Sequence, residues 1–539
     1  MGKRLLLLNL TRLGDMLQSQ PLIEDLSDSG HNVSLLCLEN FAPALSLMRR
    51  VKKSYALPGA KLLADADSRW TDAVAGLLEL AREIRENIRP DVVVNLTPTL
   101  PARLLAKLLA PTPSDILGFG LDAEGFGVNG GVWSSFLSGA SARRVNTPFN
   151  IVDMFRRMGK ALCTPETVGR AGVFVLEKPS GPALAAALEL LRQPENGAGG
   201  AAREPRGYVG FQLGASEARR QWPVEYFVAL GERLWEKARF CPILLGAKTE
   251  AKLAEDYGAR TASLHVNAVG KTDLPELAAL LSKCRLLVTN DTGTMHLAAG
   301  LGVHCLAFFL ATAQPWDTGP YLTDCCCLEP ALPCHPCAYN HVCANNNACL
   351  RRIRPETVGD MLLGYLESGR WPVPGLELRT QARVWLTGLT ESGFAVLRCL
   401  SGHDDEDRSR WLAQQRHVWR HILDDLDGGG IAGDEGQELL PALSSAFRDE
   451  VVPALTQAAD MLAVLSEQGR IADKSSLAGQ LFLRNCDRLQ RVLDACPPLC
   501  SLSHFWRELV QDRGGDLVET VRLTDLLAKH LARWAEVQQ

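Results

Sequence analysis

The run Arg285 to Gly302, R-L-L-V-T-N-D-T-G-T-M-H-L-A-A-G-L-G, passes from a short apolar strand through polar residues straight into a helical pattern. A strand that ends where a helix begins constrains the fold more than any other feature of this chain, because it demands an α/β layer with the junction at a sheet edge. Such a junction is an anion site. The first N–H groups of a helix are unpaired and its dipole is positive there, so Thr292, Gly293 and Thr294 offer donors to a phosphate. Asp291 stands where a cap belongs. Counting Thr292 as the first helical position puts His296 one turn in, on the face of Asp291 and Thr292. The plainer alternative is an ordinary N-cap in an ordinary α/β protein.

With 539 residues, 46% of them hydrophobic, the chain is too long for one core and can bury two or three. A formal charge of -5 supplies no overall basic field, so no nucleic-acid partner is expected. Sixteen cysteines in a chain this large point to reduced thiols or metal ligands rather than a disulfide scaffold. The opening M-G-K-R-L-L-L-L-N-L has an apolar run too short for a signal peptide and reads as a first strand. No stretch reaches the roughly 18 apolar residues of a membrane span. The expected location is therefore the cytoplasm, with peripheral contact at the inner face of the membrane.

Residues 1–192 alternate strand-like runs (R-L-L-L-L-N-L, N-V-S-L-L-C-L, D-V-V-V-N-L) with helical stretches such as Ala73 to Asn87, the punctuation of a parallel sheet. A segment rich in Gly, Ala, Pro and Glu, residues 193–206, reads as a linker. Residues 207–372 repeat the alternation, with a helix around Val224 to Lys237, a Cys-rich loop at 325–349 and a closing helix from Pro355 to Gly369. Beyond Pro374 the strand signals end, and residues 373–539 are expected to be all-α, broken at Gly428 to Gly436 and at Pro497-Pro498. Self-association or docking on a partner is expected of that extension's amphipathic faces. Its charge run, Asp404 to Arg410, is a solvated helix face.

After the first strand, T-R-L-G-D-M-L-Q-S-Q-P turns into a helix, so Asp15 faces the cleft that two α/β units create. A carboxylate there can act as general base for an acceptor hydroxyl; otherwise it is merely a cap. No G-x-G-x-x-G is present, so a dinucleotide turn is not supported. In the second unit, Q-L-G-A-S-E-A-R-R-Q-W-P places small residues Gly214, Ala215 and Ser216 where backbone can approach phosphates, with Arg219 or Arg220 to meet their charge and Pro223 to open a helix. Arg103, Lys107, Arg143 and Arg144 could meet a phosphorylated acceptor, though solvated charge is the commoner fate of such residues.

Together R-L-G-D (Arg12 to Asp15), G-A-S…W-P (Gly214 to Pro223), V-G-K-T-D-L-P-E-L-A-A-L-L (Val269 to Leu281) and N-D-T-G-T-M-H-L-A-A-G-L-G (Asn290 to Gly302) resemble glycosyltransferase family nine, the ADP-heptose:lipopolysaccharide heptosyltransferases, over about residues 1–370. The resemblance implies a GT-B fold, an N-terminal acceptor domain and a C-terminal nucleotide-sugar domain, both Rossmann-like, facing a cleft. It implies inverting transfer of a heptose-type sugar from a nucleotide diphosphate sugar, ADP-heptose, to lipopolysaccharide core or a related glycoconjugate, without a catalytic metal. By that likeness Asp15 is the base, and Ser216, Arg220, Asp291, Thr292, Gly293 and His296 hold the sugar diphosphate. F-F-L-A-T-A-Q-P around Phe308 to Pro315 departs from the family's usual F-G-x-T-x-P, which bears on the donor. Two rivals stand beside this reading: a protein heptosyltransferase of the autotransporter type, and a non-catalytic, metal-stapled assembly protein with a decayed cleft. The D-T-G triplet is also similar to an aspartic protease strand, but those sites pair two aspartates in an all-β setting.

Cys334, Cys337, Cys343 and Cys349 have the spacing C-x2-C-x5-C-x5-C, four thiolates that can wrap a tetrahedral structural zinc or iron. An iron–sulfur cluster, or unmetallated or disulfide-paired cysteines, are the alternatives. Cys325 to Cys327 are nearby substitutes, and His335 and His341 are further candidate ligands, although loop surface is the commoner place for such residues. Similar cysteine-rich loops occur in some members of the family that this chain resembles, so the loop leaves the acceptor open.

Overall fold

The computed structural model describes residues 2–142, 147–195, 204–338, 342–428, 440–513 and 516–538. The chain forms two compact units, Met1–Thr97 with Asn150–His403, and Pro98–Phe149 with Asp404–Gln539. This division differs from one at 192, 206 and 372.

The first unit holds two sheets. In the first, the parallel strands β1 (Arg4–Asn9), β2 (Asn32–Leu38), β3 (Val51–Leu57) and β4 (Val92–Asn95) lie in the order β3-β2-β1-β4. Leu5 pairs with Val33 on one side and Val92 on the other. Leu5 to Leu8 are wholly buried, as expected of a central parallel strand covered on both faces.

In the second sheet, β7 (Gly207–Gln212), β8 (Phe240–Leu245), β9 (Val266–Asn267), β10 (Cys284–Asn290), β11 (Cys305–Phe308) and β12 (Cys326–Pro330) run parallel. Helices occur where periodicity predicts them, at Val224–Ala238 and Pro355–Ser368. The core joins Phe211, Phe227 and Phe308, and Trp222 stacks on Phe308 with ring centroids 4.3 Å apart. Each such buried ring contributes on the order of 1.5–3 kcal/mol, which ties the turn before Trp222 to the sheet.

The expectation that strands end at Pro374 is corrected. β13 (Ala382–Leu389) and β14 (Ala395–Cys399) add an antiparallel hairpin to β12, so the second sheet reads β14-β13-β12-β11-β10-β7-β8-β9. Val384, Trp385 and Leu386 are buried, and the Trp385 indole donates to Glu329 on β12 at 2.8 Å. These are long-range contacts that a local count of Leu, Ala and Arg does not register.

The second unit combines the antiparallel pair β5 (Ile116–Leu121) and β6 (Gly127–Asn129) with helices Asp407–Leu426, Ser445–Gly469, Ser476–Ala495, Cys500–Arg513 and Leu517–Gln538. The helical region thus starts near Asp407, not at 373. Its apolar stripes face one another and residues 98–149: Phe136 packs on Trp419 and Phe505, and Trp411 stacks on Trp534. The expected break at Gly428 to Gly436 lies largely outside the described residues, whereas Pro497–Leu499 form a short 3-10 turn. Among the described residues, no helix is long and apolar enough to cross a membrane.

Candidate active site

Both sheets of the first unit end in a strand-to-helix turn, and those turns meet. Leu13–Gln18 follows β1, and Gly293–Gly300 follows β10. A Cβ at Gly14 would lie 2.7 Å from Cδ2 of His296, and one at Gly293 would lie 3.4 Å from both the Gly14 nitrogen and Leu13 Cβ. Only glycine at position 14 admits this approach. Gly14, the neighbour of Asp15, therefore lies against His296.

Asp15 is half-buried in the first turn of its helix, and Asn9 fixes that turn by donating to the Asp15 carbonyl at 2.9 Å. Among the described residues, nothing forms a hydrogen bond or ion pair with its carboxylate. That is the condition of a group able to take a proton from something else.

The second-lobe turn differs from expectation in its cap. Thr292, not Asp291, is the N-cap, extended at φ -144, and the helix begins at Gly293. The Asp291 carboxylate turns away to Arg220, and both side chains are buried. Arg220 also donates from Nη1 to Ser216 at 3.3 Å. A buried guanidinium needs a counter-charge more than a helix needs one more capping oxygen, so Arg220 captures Asp291. Thr292 keeps its hydroxyl near Thr289 at 3.3 Å.

Three residues carry the site without having been singled out from the sequence. Asn290 donates to the carbonyls of Leu213 and Gly214 at 3.0 and 3.1 Å and accepts from Trp222 N at 2.9 Å, stapling the Gly-Ala-Ser turn to the end of β10. Gln212 accepts from Thr294 at 2.9 Å and donates to Glu250 at 3.4 Å. Glu250 lies so close under Gly214 that a Cβ there would collide with its carboxylate, which explains the glycine. The available signal was position: Gln212 and Asn290 end strands, and Glu250 follows one.

Cys334, Cys337, Cys343 and Cys349 line one cavity of about 260 Å3, together with Arg219 and Ala311. All four are free thiols. Burial, then the neighbouring thiols, raises Cys337 above the ordinary thiol range; burial does the same for Cys349. Among the described residues, no three His, Cys, Asp or Glu side chains are arranged to hold a metal ion. Cys325, Cys326 and Cys327 are wholly buried and do not line this cavity. His335, expected on the surface, is buried with Nδ1 3.7 Å from Glu329, and His341 lies outside the described residues.

Arg103 and Lys107 serve structure. Arg103 donates to the carbonyls of Pro98, Gly120 and Val128 and to Asn129, and Lys107 to the Asp122 carbonyl at 2.6 Å. Arg143 and Arg144 lie outside the described residues.

Residues 176–347 match the family model of glycosyltransferase family 9 (heptosyltransferase). Over this stretch the chain is similar to family 9 glycosyltransferases. The stretch contains every second-lobe residue named above from Gln212 to His296 and three of the four loop cysteines. Among curated proteins, the chain is 36% identical over 105 residues to lipooligosaccharide heptosyltransferase 2 of Haemophilus ducreyi, covering 19% of this chain and 30% of that protein. It is 34% identical over 131 residues to lipopolysaccharide heptosyltransferase 1 of Pseudomonas aeruginosa, covering 24% and 36%. The chain thus spans about a third of the length of these relatives. Among solved structures, the ADP-heptose LPS heptosyltransferase II of E. coli superposes with a TM-score of 0.50 at 18% identity, covering 68% of this chain and 99% of that one. The first unit therefore has the two-lobed GT-B fold.

Proposed function

We propose that the protein is an inverting glycosyltransferase that moves a heptose-type sugar from ADP-heptose to the core of lipopolysaccharide or a related glycoconjugate. One observation carries the reading: the Asp15 carboxylate, unbonded among the described residues, stands in a turn that touches the N-terminus of Gly293–Gly300. Asp15 takes the proton of the acceptor hydroxyl as its oxygen attacks the anomeric carbon. The bond from that carbon to the diphosphate breaks on the opposite face, and the diphosphate leaves with both electrons. Its charge meets the amides from Gly293 onward, the hydroxyls of Ser216 and Thr292, and the guanidinium hydrogens of Arg220 not taken by Asp291. These donors make a catalytic metal unnecessary. His296, against Gly14, closes the floor between base and leaving group. Glu250, an acceptor-only group at the same edge, suits the donor's hydroxyls. The approach of Gly14 to His296 speaks against a decayed cleft.

The test is Asp15→Asn. Transfer should fall about 10²–10⁴-fold while ADP still raises the melting temperature as in the wild type. Undiminished transfer would refute the role given to Asp15.

The cysteine cavity suits a structural zinc or iron. Its four soft donors surround one space, and gathering them on an ion requires rotation of loop thiols. Purified protein should carry about one metal per chain, reduced in the Cys337→Ser, Cys343→Ser variant. Wild-type protein without bound metal would end this part of the reading. Self-association through 373–539 would use what its core leaves out, for example the exposed Leu477, Leu483 and Val518.

A further inference from the structure

Gly393 and Phe394, in the turn between β13 and β14, are buried, although a hairpin at the edge of a sheet ordinarily ends in water. What covers them belongs to the other sheet. The helix Ile151–Met158 packs on Gln20–Asp28, the helix that leads from β1 to β2, and Arg156 donates from Nε to Asp25 there at 2.6 Å. The same helix grips the hairpin. Asp153 accepts from the Ala395 N–H and from the hydroxyl of Tyr321, which lies between β11 and β12, both at 2.9 Å. Arg156 donates from Nη1 to the Gly393 carbonyl at 3.4 Å, and the Arg157 guanidinium stands 4.6 Å from the centroid of the Phe394 ring. Gly393 has φ +80, and a Cβ there would collide with the Arg170 carbonyl, so glycine is what lets the turn come this close.

Asp25, Asp153, Arg156 and Arg157 are each less than a tenth exposed. Charges so buried are tolerated only with their partners in place, so this joint cannot slide or part without stripping them. The approach of Leu13 and Gly14 to Gly293 is of another kind. Small groups meet there in van der Waals contact, which separates at little cost. One joint between the two sheets is therefore fixed in register, and the other is free to open.

We infer that the β13–β14 turn is the pivot of the cleft: it fastens the second sheet to the helices of the first, and opening is taken up where Gly14 meets Gly293. That the cleft holds donor and acceptor rests on the function proposed above; the pivot does not. Asp153 and Arg156 are then positioning residues. They act through the hairpin on how often the cleft stands in the arrangement that binds.

Gly393→Ala tests this on the full chain, since the added methyl group pushes the turn off Arg170 and alters neither sheet. Hydrogen exchange read by mass spectrometry should rise about tenfold at Leu13–Gln18 and Gly293–Gly300 as well as at the turn, with β1 and β10 as protected as in the wild type. A merely local role would raise it at the turn alone. Because a loosened cleft is less often competent, the donor KM should rise about tenfold while kcat stays within about twofold. Phe394→Leu, which keeps apolar volume but removes the ring beside Arg157, is a milder variant should the first misfold. Exchange raised only at the turn, exchange unchanged in both variants, or a loss carried by kcat at an unaltered KM would each overturn the inference. Wild type that neither binds ADP nor transfers sugar, with exchange at the two distant segments still raised by the variant, would instead strike the proposed function.

Discussion

The two strand-to-helix turns of the first unit look alike locally and use their carboxylates in opposite ways. In T-R-L-G-D, Asp15 lies inside the helix with its carboxylate unbonded among the described residues; in N-D-T-G, Asp291 precedes the helix and is locked to buried Arg220. The difference lies in the neighbour, not in the turn. A cation buried beside a carboxylate converts it into scaffold, and without one the same group stays open to exchange a proton. On the proposed function, the first turn supplies the base and the second the donors.

Three substitutions can break or sharpen this contrast. The largest expected effect on turnover is at Asp15: the Asn variant described above should lose transfer with no change in melting temperature. An equal loss of stability would show that Asp15 is scaffold too. Asp291→Ala comes next and should act on stability instead, because it leaves the Arg220 charge buried and uncompensated, at a cost of about 3–5 kcal/mol. Denaturant unfolding would register it, and a variant as stable as wild type would show that the pair is not a keystone of the turn.

The smallest effect belongs to Asp91, at the opposite edge of the first sheet. Its hydrogen bonds with the Arg4 side chain and backbone hold its carboxyl at about 2. A folded value below the unfolded one, near about 4, gives stability that is present above that unfolded value and lost as pH falls toward 2. The pair is largely exposed, so Asp91→Asn should lower the melting temperature only slightly at pH 7 and leave it unchanged near pH 2. A large effect at neutral pH would mean that surface ion pairs, and not only the buried one, set the stability of this sheet.

Much of this was legible in the chain. The helices at Val224–Ala238 and Pro355–Ser368, the glycine-bearing turns and the second-lobe junction all follow from local periodicity and small residues. Asp291 was legible as an important residue but not in its role, since Arg220 lies 71 positions away. Strands β13 and β14 escaped because they gain their stability by pairing with β12 from a segment whose composition is helical. The second unit escaped as well, since Asn129 bonds Asp512 across 383 positions.

By itself, then, the sequence determined the strands and helices up to about residue 370, and where amides and carboxylates could gather, because those outcomes depend on residues within a few positions of one another. The tertiary structure alone decided that Gly14 lies against His296, that Arg220 claims Asp291, and that residues 98–149 join the distant helices. Each is a contact between parts of the chain far apart in order, and its free energy exists only once burial has brought them together.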